Sequence, residues 1–193
     1  MRKCATMRTP HFFLLAALAL PVAGQVAAPT DWRKESFTFP LQFAPSIPYE
    51  GSEHVRFAPY WAEFASERGF TYVFLWDVKR TTPEPAHLER ALNVYFDGLM
   101  EQVTRGRKIA DPGTVTSVSL HPLAAPEGWA EGFGGRLWTW NAFAAGEPLA
   151  LHLEIAHRPC GAERTQIFFA FSKAARTQAP WPELRAIRKA TAC

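Results

Sequence analysis

The sequence predicts an α+β fold: a single domain with a mainly antiparallel β-sheet, and a long amphipathic helix and a C-terminal helix packed on one face of it. Three observations carry this. Apolar residues alternate at a period of two in a series of short runs, they recur at three- and four-residue steps in one long central run, and short turns separate most of the strand-like runs. Strand, strand, helix, three or four strands and helix is an order that suits a sheet with helices gathered on one face.

The first run, Ser36 to Phe43, sets Phe37, Phe39, Leu41 and Phe43 on one side. Pro40 has no N–H for a central ladder, so this strand belongs at a sheet edge or is broken there. The passage through Pro45, Pro48 and Pro59 reads as irregular but packed, because large apolar residues are interleaved with the prolines. Thr71 to Lys79 then places Tyr72, Phe74, Trp76 and Val78 on one side and Val73 and Leu75 on the other, the pattern of a central strand covered on both faces.

Thr82-Pro83-Glu84 reads as a helix start, with a hydroxyl cap, a proline in the first turn and a carboxylate at the positive end of the dipole. Leu88, Leu92, Tyr95, Phe96, Leu99 and Val103 mark the buried stripe of a helix ending near Gly106, and Glu89, Arg90, Asn93, Asp97 and Glu101 form its solvated face. Arg105, Arg107 and Lys108 complement the negative end of that helix rather than mark a phosphate site.

Thr114 to Leu120, Gly135 to Phe143, Leu149 to Ile155 and Arg164 to Lys173 alternate as strands. Turns at Ala145-Gly146-Glu147 and Pro159-Cys160-Gly161-Ala162 make neighbouring runs antiparallel hairpin partners. Glu131-Gly-Phe-Gly-Gly135 reads as a turn or bulge before a strand; it lacks dinucleotide spacing and the lysine and hydroxyl of a phosphate loop. Pro180-Trp181-Pro182 opens a terminal helix with Leu184 and Ile187 inward and Arg185, Arg188 and Lys189 toward its C-terminal end.

Residues 1–24 read as a signal peptide: Arg2, Lys3 and Arg8 precede the apolar run Phe12 to Leu20, and Val22 and Gly24 supply small residues for cleavage before Gln25. Periplasmic or secreted localisation is expected, with no transmembrane anchor in the mature form and residues 25–193 as one domain with a loop-rich N-terminal third. Cleavage removes three of the 21 basic residues and leaves 18 against 18 acidic, so net charge gives no argument for nucleic acid. Only Cys160 and Cys193 remain, and two thiols in an exported chain predict one disulfide closing a loop of 33 residues.

His152, Glu154 and His157 are metal-ligand types, but strand parity turns His157 away from the other two, and no metal or cofactor is expected. Trp138 and Trp140 share a strand face and, with His152 and Glu154 on the next strand, are the candidate ligand-binding residues; an aromatic platform beside polar groups holds sugars and other flat ligands. The same tryptophans also suit a core, where large aromatics are most often buried. No nucleophile elbow or zinc-helix motif is present, and the candidate catalytic residues are Asp77, set among apolar neighbours, and His152 with Glu154.

The wording of Phe39 to Pro59, Tyr72-Val-Phe-Leu-Trp76 and Gln166-Ile-Phe-Phe-Ala-Phe171, with the tryptophan-containing helix near the end, resembles a family of uncharacterised secreted bacterial proteins with no assigned activity. The resemblance spans most of the mature chain and implies a Gram-negative exported protein, and it transfers no functional residue. The expected function is non-enzymatic binding of a small ligand or an envelope protein, the alternative a secreted hydrolase using Asp77 or His152 and Glu154.

Overall fold

In the computed structural model, which describes residues 26–110, 113, 115–144 and 146–193, seven strands form one sheet. Residues 1–24, read above as a signal peptide, lie outside the described residues, as do Thr114 of the expected strand Thr114 to Leu120 and Ala145 of the expected turn. The elements are β1 (Arg33–Thr38), β2 (Gly51–Phe57), β3 (Tyr72–Lys79), α1 (Pro85–Arg107), β4 (Ser117–Leu123), β5 (Glu131–Asn141), β6 (Glu147–Cys160), β7 (Arg164–Ser172) and α2 (Trp181–Ala190).

The sheet order is β1-β2-β3-β7-β6-β5-β4, and every neighbouring pair is antiparallel. Two meanders meet at the β3–β7 seam: α1 carries the chain from β3 to the far edge, and successive hairpins return it until β7 lies against β3. The fold is therefore the α+β, mainly antiparallel class the periodicity predicts.

Four local readings change. β2 was hidden in the proline-rich passage, because its alternation of Glu53, Val55 and Phe57 places an acid where an apolar residue is expected. β1 ends at Thr38; Phe39 and Leu41 are buried beyond the strand, while Phe37 is largely exposed at the edge. α1 starts one turn late, with Pro85 in its first turn, and ends on Lys108 in the left-handed conformation rather than at Gly106. Glu131 to Gly135 is not a turn but the beginning of β5.

The two helices lie on opposite faces of the sheet, which corrects the expectation of one. Phe74, Trp76, Leu153, Phe169 and Phe171 meet Leu88, Leu92, Tyr95 and Phe96 of α1 in one core. Val73, Leu75, Ala156, Phe168 and Ala170 meet Trp181, Leu184 and Ile187 of α2 in the other. The reason is visible in β3 and β7, whose alternate residues are apolar on both sides and need a cover on each.

The polar side of α1 is not simply solvated. Glu89 accepts the Leu120 N–H and Asp97 the Thr116 N–H, both at 2.7 Å, so helix carboxylates occupy backbone donors along the β4 edge. Cys160, the last residue of β6, is joined to Cys193 with Cα atoms 5.4 Å apart, which anchors the chain beyond α2 to the sheet.

Candidate functional site

The face covered by α2 over its centre carries polar side chains farther out, on β4, β5 and β6. Cross-strand register sets Ser117, Trp138 and Ala150 in one row, Ser119, Arg136 and His152 in the next, and His121, Gly134 and Glu154 in a third. Three of the four residues expected to bind a ligand, Trp138, His152 and Glu154, thus come together. Trp140 does not: it is 4 % exposed and part of the α1-side core, whereas Trp138 is 54 % exposed.

Sequence reading missed the arginines of this surface. Arg136 donates from Nη1 to His152 Nε2 and lies 5.7 Å from the Trp138 ring centroid. Arg176, from the segment after β7, donates from Nη2 to His121 Nε2 at 3.2 Å. Its other terminal nitrogen lies over Gly134, where a Cβ would collide with it; glycine is what lets the guanidinium come this close to the strand backbone. The nearest sequence signal was that glycine-rich opening of β5.

A guanidinium donates to each of these imidazoles, so each Nε2 must bear a lone pair and no hydrogen. Burial, followed by the charges of Arg136 and Arg176, holds His152 below its ordinary pKa. Glu154 is different. Burial alone would raise its pKa, but hydrogen bonds and charge from Arg185, then Arg188, outweigh burial and hold it below the usual carboxylate range. Arg185 Nη2 reaches Oε1 at 2.5 Å and Arg188 Nη1 reaches Oε2 at 3.0 Å, so Glu154 fastens α2 to β6.

Asp77 is buried on β3 and bonded through Oδ2 to Arg164 at 2.6 Å, while its Oδ1 has no partner. Burial raises its pKa, opposed by Arg164 and His54. His54 brings serine and histidine beside this aspartate, but its Nδ1 meets Ser36 Oγ at 2.9 Å and its Nε2 meets Ser52 Oγ at 3.1 Å. Neither ring nitrogen is left for Asp77 to orient, so the arrangement is not a catalytic triad.

His157 lies on the other side of the sheet, stacked on Phe133 and 3.3 Å from Glu131. Among the described residues no three His, Cys, Asp or Glu side chains are placed to share a metal ion. Glu53, unremarked in the sequence, is fully buried under α1; it accepts the Tyr95 hydroxyl at 2.7 Å, and burial pushes its pKa up to about 8.

Comparison with protein-family models, curated proteins and solved structures found no match to this chain.

Proposed function

We propose that this chain is an exported binding protein that takes a small oxyanion-bearing ligand, of the size and shape of an acidic sugar, on the surface formed by Arg136, Trp138, His152 and Arg176. One observation carries the reading. Arg136 and Arg176 rest on imidazole nitrogens, and among the described residues neither has a carboxylate within ion-pair distance. Two fixed guanidinia without counter-charge suit a carboxylate, sulfate or phosphate, because charge-assisted N–H···O bonds are the strong ones. The exposed indole beside Arg136 offers a flat apolar face to the body that bears the anion.

Export is supported by the Cys160–Cys193 disulfide. Among the described residues, no helix is long and apolar enough to cross a membrane. A product secreted through its leader has an intact mass that begins at Gln25; a mass that retains residues 1–24 overturns this part.

Binding is tested by calorimetric titration with glucuronate, glucose 6-phosphate and glucose. The two anions should bind and glucose should not, with affinity falling as salt rises from about 50 to 300 mM. Arg136→Gln and Arg176→Gln should each weaken the anions about tenfold. Equal behaviour of all three sugars, or anion binding indifferent to both substitutions, overturns the proposal.

A further inference from the structure

On the α1 side of the sheet, a cleft of about 530 Å³ opens between the N-terminal half of the helix, the segment 46–49 that leads into β2 and the segment 81–83 that leads out of β3. His87, Arg90, Ala91 and Val94 recur at steps of three and four, so a single stripe of α1 forms one wall. The facing walls are held by the fold. Tyr49 packs on Phe39 at 6.0 Å and on Trp76 at 5.4 Å between centroids, and its backbone N–H donates to the Ile47 carbonyl at 2.9 Å. Thr81 donates its N–H to Thr165 Oγ1 at 3.0 Å, and its carbonyl accepts that hydroxyl at 2.7 Å. The cleft is therefore formed by ordered segments, and its volume is in the range of small-molecule sites.

The lining divides in two. Ile47, Pro48, Pro83 and Val94 are apolar, and Val94 is 37 % exposed. Arg90 brings a guanidinium and Tyr49 a hydroxyl, and among the described residues no carboxylate lines the cleft. Neighbouring acids are committed elsewhere: Glu89 accepts the Leu120 N–H at 2.7 Å, and Glu50 is paired with Lys79 at 3.5 Å. Among the described residues no carboxylate, Glu84 included, lies within ion-pair distance of Arg90 or His87. Burial raises the pKa of the Tyr49 phenol, so it remains a hydrogen-bond donor at neutral pH.

We infer that this cleft is a second ligand site, for a monocarboxylate with a small apolar body: the carboxylate meets Arg90 and the Tyr49 hydroxyl, and the hydrocarbon lies against Ile47, Pro48 and Val94. The planar fork of a guanidinium matches a carboxylate, and one permanent cation matches one negative charge. A dianion would bring a second charge that no group in the lining balances, and a plain hydrocarbon would cover the guanidinium without pairing it. The inference stands on different residues from the anion surface and does not depend on it.

The test is calorimetric titration with hydrocinnamate, its neutral amide and acetate. Hydrocinnamate should bind about tenfold more tightly than the amide, and acetate, which has no apolar body, should give no signal. Arg90 is exposed, so Arg90→Gln should leave the urea midpoint unchanged while erasing the preference for the acid over the amide. Tyr49→Phe should weaken hydrocinnamate about threefold, the effect of one hydrogen bond. Arg136→Gln should alter none of these affinities, which separates the cleft from the surface on β4 to β6. A second readout needs no variant: the His87 ring resonances should shift with hydrocinnamate and the Trp138 indole resonance should not. Absence of binding up to the solubility limit, equal affinities for acid and amide, or a loss caused by Arg136→Gln and not by Arg90→Gln overturns the inference.

Discussion

Glu53 and Glu154 are both buried glutamates on the same sheet, yet they sit on opposite faces and in opposite protonation regimes. Glu53 lies under α1 among rings, with a tyrosine hydroxyl as its hydrogen-bond donor, and its pKa rises to about 8. Glu154 lies under α2 between two guanidinia that hold its pKa below the usual range. Glu53 is the deeper of the two, and the covering helices supply opposite partners: α1 brings Leu, Tyr and Phe to the sheet, and α2 brings Arg185 and Arg188 beside Trp181 and Leu184. One face is held by apolar contact, whereas the other is held partly by charge and leaves arginines at its margin.

The comparison breaks most sharply in the cores. Phe74→Ala, on the α1 side, should destabilise the protein by about 3 to 5 kcal/mol in urea denaturation. Leu184→Ala, on the α2 side, should cost about 2 to 4 kcal/mol by the same measurement. Equal and small losses would show that neither face is a packed core.

The pH dependence of stability separates the two glutamates. Glu53 keeps its proton in the folded state after the unfolded chain has lost it, so its contribution is full below about pH 4.5 and is lost as pH rises toward 8. Glu154 has a lowered folded pKa, so its contribution is present above about pH 4.5 and is lost as pH falls through the folded value. Each limb should amount to a few kcal/mol at most. Glu53→Gln should flatten the alkaline limb alone and Glu154→Gln the acid limb alone. Unfolding curves collected from pH 3 to 9 would contradict the assignment if either substitution flattened the other limb.

The smallest effect is expected at Gly134. Alanine there displaces the end of a flexible arginine and crowds Leu123, so stability should change by about 1 kcal/mol or less. Glucuronate affinity should fall nevertheless, because Arg176 can no longer lie on the sheet. An unchanged affinity in calorimetry would remove Arg176 from the anion surface.

Much of this was readable in the chain. The two-sided apolar pattern of Tyr72 to Val78 marks a central strand, and the step of Leu88, Leu92, Tyr95 and Phe96 marks a helix packed on a sheet. β2 escaped notice because Glu53 interrupts its alternation and prolines surround it. The candidate surface was half legible: Trp138, His152 and Glu154 came together through strand parity, but Arg136 and Arg176 did not stand out, since Arg136 meets its partner through strand register and Arg176 meets His121, 55 residues away.

Local periodicity, turn residues and cysteine count are short-range properties, and they were enough for both helices, for most of the strands and for the pairing of Cys160 with Cys193. Which helix covers which face, which tryptophan is buried and which glutamate keeps its proton depend on contacts between segments far apart in the chain. Trp138 and Trp140 show the limit: two residues apart and of one parity, they differ because Trp140 packs into the α1-side core beside the turn at Gly146, and nothing covers Trp138. A side chain's environment is set by what folds over it, and that information lies outside its own stretch of sequence.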